Sequence, residues 1–98
     1  MPKDRITKER LGNYLLKTET ALAKLRIAAP KRSHSKKIAQ DFLDMATSYF
    51  SDAKHFFENG EYVDAFACVN YAHGWLDCGA RLGLFDVGSD DTLFTLAE

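Results

Sequence analysis

Apolar residues recur every three or four positions through most of this chain, which is the spacing of one face of an α-helix. The first such face consists of Leu11, Leu15, Thr18, Leu22, Leu25 and Ala29. Thr7 is suited to cap the start of this helix, and Pro30 with the polar residues after it should end it. The pattern therefore predicts a first helix over about residues 7–29.

Two further segments, about residues 35–59 and 61–82, each carry two adjacent apolar stripes. Those of the second segment are Ile38, Phe42, Met45, Tyr49 and Phe56, and Ala39, Leu43, Ala46, Phe50, Ala53 and Phe57. Those of the third are Tyr62, Ala65, Val69, Ala72, Leu76 and Ala80, and Cys68, Tyr71, Trp75, Cys78 and Leu82. Two stripes indicate a helix with two packing neighbours. Gly60 between the segments favours a tight antiparallel hairpin, and Gly83 should end the third helix.

These elements predict an all-α fold: an antiparallel three-helix bundle in one domain over residues 1–98, with a C-terminal tail, residues 83–98, packed on helix 3. Helix 3 is apolar on more sides than two helices would cover, so we expect the tail or a second copy of the chain to cover it. The expected interaction surface is Tyr71, Gly74, Trp75, Leu93 and Phe94. Because Gly74 has no Cβ, we expect another backbone to pass close to it.

The composition is that of a folded chain that lies outside membranes. It is 46% hydrophobic and 28% charged, and no apolar run approaches the roughly 18 residues of a membrane span. The first ten residues contain no apolar core, so we expect no secretory signal. Cys68 and Cys78 lie about 15 Å apart along one predicted helix, too far to form a disulfide with each other. Free thiols favour the cytoplasm.

The charge is unevenly divided. Residues 1–40 hold eleven Lys and Arg against three acids, whereas residues 41–98 hold two against eleven. The favoured interpretation is that the basic segment lies against the acidic one within the fold. The alternative is phosphate-ligand or RNA binding through residues 24–37, where the start of helix 2 would offer N–H groups and a partial positive charge. The candidate anion-binding residues are Lys31, Arg32, Ser33, His34, Ser35, Lys36 and Lys37.

One pair of polar residues has a spacing used in catalytic and metal sites. His73 and Asp77 are four residues apart on helix 3, and we expect them to lie near Asp44 and Ser48 of helix 2. A carboxylate that orients an imidazole is a recurring device in such sites. Two ligands are too few for a metal site, and no Cys/His cluster supports one. A structural histidine is therefore the favoured interpretation, with no catalytic residue, metal or cofactor expected.

The segment YFSDAKHFFENGEYVDAFACVNYAHGWLDCGARLGLF, which begins at Tyr49, resembles the archaeal family of short proteins catalogued as domain of unknown function 357. The motifs that carry the resemblance are SDA, NG-Y-DAF, YAHGWLD, LGLF and a late LF in the tail, all within residues 38–98. The resemblance implies a small all-helical bundle, an archaeal cytoplasmic setting and no assigned activity. It supplies no functional residues.

The function expected from these patterns is that of a non-enzymatic protein-interaction module, which self-associates or docks a protein partner through helix 3 and the tail. Nucleic-acid binding through the basic loop is the less favoured alternative. An enzyme built around His73 and Asp77 ranks third, and no membrane partner is expected.

Overall fold

The computed structural model describes residues 5–28 and 34–87. Along this part of the chain the elements are α1 (Lys8–Lys24), β1 (Arg26–Ile27), α2 (His34–Glu58), α3 (Tyr62–Arg81) and β2 (Phe85–Asp86). The three helices pack together, which confirms the predicted all-α three-helix bundle. The α2–α3 interface is the most extensive, and α1 packs more on α3 than on α2. None of the described helices is long and apolar enough to cross a membrane.

Helix α1 begins as predicted but ends five residues early. The Thr7 hydroxyl accepts a hydrogen bond from the Arg10 backbone N–H at 3.1 Å, which is an N-cap. The helix ends at Lys24, because Leu25 is extended rather than helical. Leu25 nevertheless stays buried in the core. The prediction of a helix to residue 29 was therefore wrong in its end point.

The chain after α1 instead joins a two-stranded antiparallel ribbon that the sequence pattern did not predict. Arg26 pairs with Asp86 and Ile27 pairs with Phe85. The Ala28 N–H donates to the Leu84 carbonyl at 2.9 Å. These bonds tie the end of α1 to the chain that follows α3. Backbone groups that a longer α1 would have used are satisfied across this ribbon.

The α2–α3 hairpin turns at Gly60, as predicted. Gly60 has a φ of 76°, its N–H donates to the Phe57 carbonyl at 3.1 Å, and the Glu61 N–H donates to the Phe56 carbonyl at 2.9 Å. This pair of bonds is the Schellman motif, which needs a residue that tolerates a positive φ. The three residues between the helices therefore reverse the chain and set α2 antiparallel to α3.

The same motif ends α3. Gly83 has a φ of 76° and donates to the Ala80 carbonyl at 3.1 Å, while Leu84 donates to the Gly79 carbonyl at 2.9 Å. Leu84 and Phe85 are buried, and the Phe85 ring lies where a Cβ at Gly79 would be. The first residues of the predicted tail thus pack on α3. Its apolar pair at positions 93 and 94 lies outside the described residues.

Small residues allow the helices to approach closely. α2 contributes Ala39, Ala46 and Ala53 to the core, all fully buried. They face a surface of α3 built from Ala65, Val69, Ala72, Leu76 and Gly79, which are also buried. Phe50 of α2 is also buried in the core, whereas Phe42, Tyr49 and Trp75 are half-buried and Tyr71 is exposed. These four rings meet beside the candidate site.

Candidate functional site

One face of α3 is uncovered by the rest of the described chain. We call it the open face, and it consists of Asp64, Ala67, Tyr71, Gly74, Cys78 and Arg81, all of which are exposed. The residues are spaced alternately three and four apart, so they form one straight stripe along the helix. Val63 and Leu82 flank the stripe at its two ends and are 79% and 67% exposed. Tyr71, in the middle, is 51% exposed.

Beside the centre of the open face lies a shallow apolar groove of about 320 Å³, lined by Tyr71, Gly74, Trp75 and Cys78. The Trp75 ring meets Phe42 edge-on at 4.9 Å between centroids, and the Tyr71 ring meets Tyr49 at 4.6 Å. The Trp75 indole N–H is buried and has no hydrogen-bond partner within the described ranges. Edge-to-face contacts with α2 therefore hold both aromatic rings in place before anything binds.

Gly74 is one of the residues that line this groove. A Cβ added at Gly74 meets no described atom within 4 Å. The close backbone contact expected there from the sequence is therefore not made by residues 5–28 or 34–87. Of the predicted interaction surface, the structure brings together Tyr71, Gly74 and Trp75. Leu93 and Phe94 lie outside the described residues.

The His73–Asp77 pair lies on a different side of α3, against α1. His73 Nδ1 is 2.9 Å from the Thr18 hydroxyl, and His73 Nε2 is 3.8 Å from Asp77 Oδ1. With its hydrogen on the nitrogen that faces the carboxylate, the ring accepts the Thr18 O–H at Nδ1. The expected position near Asp44 and Ser48 of α2 was wrong, because His73 is on the side of α3 that packs on α1.

A small polar pocket of about 200 Å³ surrounds this pair. It is lined by Tyr14, Lys17, Thr18, Asn70, His73, Gly74 and Asp77. Thr18 is only 2% exposed, so its hydroxyl is too deep to attack a bound substrate. No three His, Cys, Asp or Glu side chains of the described residues are grouped to hold a metal ion. The geometry is that of a structural hydrogen bond between α1 and α3.

Thr18 is the partner that sequence reasoning missed. It was assigned to the buried face of the first helix, and a buried hydroxyl needs a hydrogen-bond partner. The only signal available was this polar position within an apolar stripe. Finding its partner required knowing that the neighbouring helix is α3.

The candidate anion-binding segment is only partly described. α2 begins at His34, and its first turn contains exposed His34, Ser35 and Lys37 and no acid. Lys36 is half-buried. The remaining candidates, Lys31, Arg32 and Ser33, lie outside the described residues.

Fold and site together define a small three-helix bundle whose third helix has an exposed outer face, apolar at its centre and charged towards its ends. The family model described as "Protein of unknown function (DUF357)" matches residues 13–85, and the chain belongs to this family. The match takes in most of α1 as well as the hairpin, and it stops before the late Leu-Phe pair. No curated protein matches the chain, and no solved structure does.

Proposed function

We propose that this protein is a non-enzymatic interaction module that binds protein through the open face of α3. The observation that carries the proposal is where its exposed apolar residues lie. Four large hydrophobic residues are exposed within the described ranges: Tyr71 lies in the middle of the open face, Val63 and Leu82 flank its two ends, and Leu16 lies on α1. Exposed apolar residues that gather on one surface mark interaction sites more often than scattered ones do.

The aromatic residues at the centre support the same proposal. Tyrosine and tryptophan are the residue types that contribute most to binding energy at protein interfaces. Here both rings are fixed from below by Phe42 and Tyr49 of α2. A fixed ring loses little conformational entropy when a partner covers it, so more of the contact energy becomes affinity.

An enzymatic role has less support. The Thr18 hydroxyl that bonds to His73 is buried, and the histidine links two helices. For the setting we propose an archaeal cytoplasm, for which the sequence resemblance and the free Cys68 and Cys78 thiols are the support.

Sedimentation of the intact chain over a wide concentration range tests the proposal. We expect a mass above the 11.0 kDa of one chain, and we expect Tyr71→Ser to lower it. Leu16→Ser is the matched control, because Leu16 is 62% exposed but lies on α1. Oligomers that Tyr71→Ser and Leu16→Ser weaken equally would contradict the proposal. A mass of 11.0 kDa at every concentration would exclude self-association and leave a different protein as the partner of the open face.

A second candidate is binding of RNA or a phosphate-bearing ligand at the start of α2. It is favoured by the acid-free first turn with exposed His34, Ser35 and Lys37. Phosphate contacts release counterions, so RNA retention on a filter should fall steeply with salt. Replacing Lys31, Arg32, Lys36 and Lys37 by serine should abolish that retention. Absence of retention by the unmodified protein at low salt would remove this candidate.

A further inference from the structure

The open face has a complementary pattern when its two halves are compared. We pair residues that lie at equal distances along the sequence on either side of the midpoint between residues 72 and 73. The pairs are Tyr71 with Gly74, Ala67 with Cys78, Asp64 with Arg81, and Val63 with Leu82. Each of these residues is exposed. The pairs combine a large residue with an empty position, two small residues, an acid with a base, and two apolar residues. A face of this kind is complementary to itself when it is turned end for end.

Resting on the proposed function, we propose that the partner of the open face is a second copy of this chain, with the two α3 helices antiparallel. The two-fold axis runs between the two α3 helices, level with the midpoint between residues 72 and 73. In a two-fold interface, when residue i contacts residue j of the second copy, residue j also contacts residue i. Every matched pair is therefore made twice. The seam from residue 63 to residue 82 is about 28 Å long at the rise of an α-helix.

The centre of the seam explains the glycine. Tyr71 protrudes from one copy at the level where Gly74 leaves an empty notch in the other. Tyr71 of the second copy fills the first notch in the same way. A side chain at position 74 would occupy the space that this ring needs. The pair of chains therefore explains why position 74 is a glycine, whereas the single chain does not.

The charges select the antiparallel arrangement over the parallel one. With the helices antiparallel, Asp64 of each copy lies level with Arg81 of the other. With the helices parallel and in register, Asp64 would face Asp64 and Tyr71 would face Tyr71. Like charges set against each other disfavour an interface, and two protruding rings would hold the helices apart. The same comparison disfavours a register shifted by one turn, which would remove Tyr71 from the notch.

Disulfide trapping tests this arrangement directly. In a Cys68→Ser background we expect Ala67→Cys to form a covalent dimer under mild oxidation, because position 67 lies level with Cys78 of the second copy. Cys68→Ser without that change should remain uncrosslinked. In the antiparallel pair its two Cys78 residues are about 16 Å apart along the axis, beyond the reach of a disulfide. Residue 67 is exposed, so the added thiol should leave the fold intact, which circular dichroism checks.

The outcomes separate this inference from the proposed function. A covalent dimer of Cys68→Ser alone would indicate a parallel pair and overturn the antiparallel arrangement. An assembly that depends on Tyr71 but gives no crosslink with Ala67→Cys would leave the proposed function standing and overturn the second-copy register. A chain that stays monomeric would overturn the second-copy inference and leave the proposed function only with a different protein as the partner.

Charge reversal gives an independent measurement. Asp64→Arg should raise the dissociation constant of the pair several-fold, because it places like charges at both ends of the seam. Adding Arg81→Asp to the same chain should restore most of the affinity. Glu61→Arg, which is in the same turn but off the open face, is the control and should leave the dissociation constant unchanged. Equal effects of Asp64→Arg and Glu61→Arg would contradict the pairing.

Discussion

Gly74 and Gly79 lie on the same helix, five residues apart, yet their surroundings are opposite. At Gly79 an added Cβ would overlap the Phe85 ring, which folds back from the end of α3. At Gly74 it would meet no described atom within 4 Å. Gly79 is buried, whereas Gly74 is exposed on the open face. Gly79 thus accommodates a contact within the chain, whereas Gly74 makes room for no described residue.

The difference identifies which side of α3 maintains the fold. Each glycine inside a helix costs about 1 kcal/mol relative to alanine. At position 79 the packing of Phe85 offsets that cost, because the ring is buried against the missing side chain. At position 74 nothing in the described chain offsets it. Packing within the chain thus explains Gly79, whereas association is the explanation that we propose for Gly74.

The largest expected effect is that of Gly79→Ala, which should lower the free energy of unfolding by about 1 to 2 kcal/mol. The added methyl would push against Phe85, and this strain exceeds the gain in helix propensity. Chemical denaturation measures the change. Gly74→Ala is the matched control, since it adds the same methyl to the same helix without a described neighbour.

The cause of that loss can be isolated with a second substitution. Phe85→Leu removes the ring, so the penalty of Gly79→Ala should be much smaller in that background. Equal penalties in both backgrounds would show that the Phe85 ring is not the obstacle. The close packing at Gly79 would then not explain the glycine.

The inward side of α3 also has a polar contact that can be broken. Thr18→Val keeps the volume but removes the O–H bonded to His73, so it should lower the free energy of unfolding by about 1 kcal/mol. Thr20→Val is the control on the same helix, because the Thr20 hydroxyl is exposed and bonds to the Leu16 carbonyl of α1 itself. Thermal melts compare the two. A larger loss for Thr20→Val would contradict the importance assigned to the buried bond.

On the open face the sign of the effect should depend on concentration. In dilute solution Gly74→Ala should raise the free energy of unfolding by up to about 1 kcal/mol, since the methyl meets no described atom. At high concentration the same methyl should weaken assembly, and Gly74→Leu should weaken it more. Melts and sedimentation on the same samples give both quantities. Stabilisation with unchanged assembly would remove Gly74 from the interface.

The smallest expected effect is a difference in thiol reactivity. Burial raises the pKa of Cys68 above its ordinary value, and the nearby carboxylates of Asp52 and Asp64 raise this pKa further. A raised pKa leaves less thiolate at neutral pH, so iodoacetamide should modify Cys68 more slowly than exposed Cys78. Intact mass and peptide mapping follow the two rates. Dilution should speed modification of Cys78 alone, because Cys78 lies in the proposed interface between two copies. Modification of Cys68 faster than Cys78 would contradict the raised pKa of Cys68.

The sequence was sufficient to predict the hairpin but not the end of α1. The α2–α3 turn is local, and it needs a residue with a positive φ, for which a glycine such as Gly60 is the usual choice. The apolar spacing of α1, in contrast, continues through Leu25, which is buried in either conformation. The helix stops because Arg26 and Ile27 pair with residues about sixty positions later. A periodic pattern contains no information about a partner so far along the chain.

For the site, the sequence predicted which residues are unusual but not what surrounds them. Tyr71 and Trp75 do border one groove, as their helical spacing implies. The neighbours of His73 and Gly79 depended on which helix or segment packs there, and both were missed. Gly79 belongs to neither predicted apolar stripe of the third helix, whereas in the structure the Phe85 ring lies directly on it.

The ribbon between β1 and β2 has a consequence for the order in which the chain folds. It joins positions about sixty residues apart, and closing so long a loop costs more entropy than closing the three-residue turn between α2 and α3. We therefore expect the helical hairpin to form early and α1 to dock on it late. Local opening should run in the reverse direction, with the ribbon released first. The third helix, and with it the proposed surface for a second copy, should then stay folded when the first helix detaches.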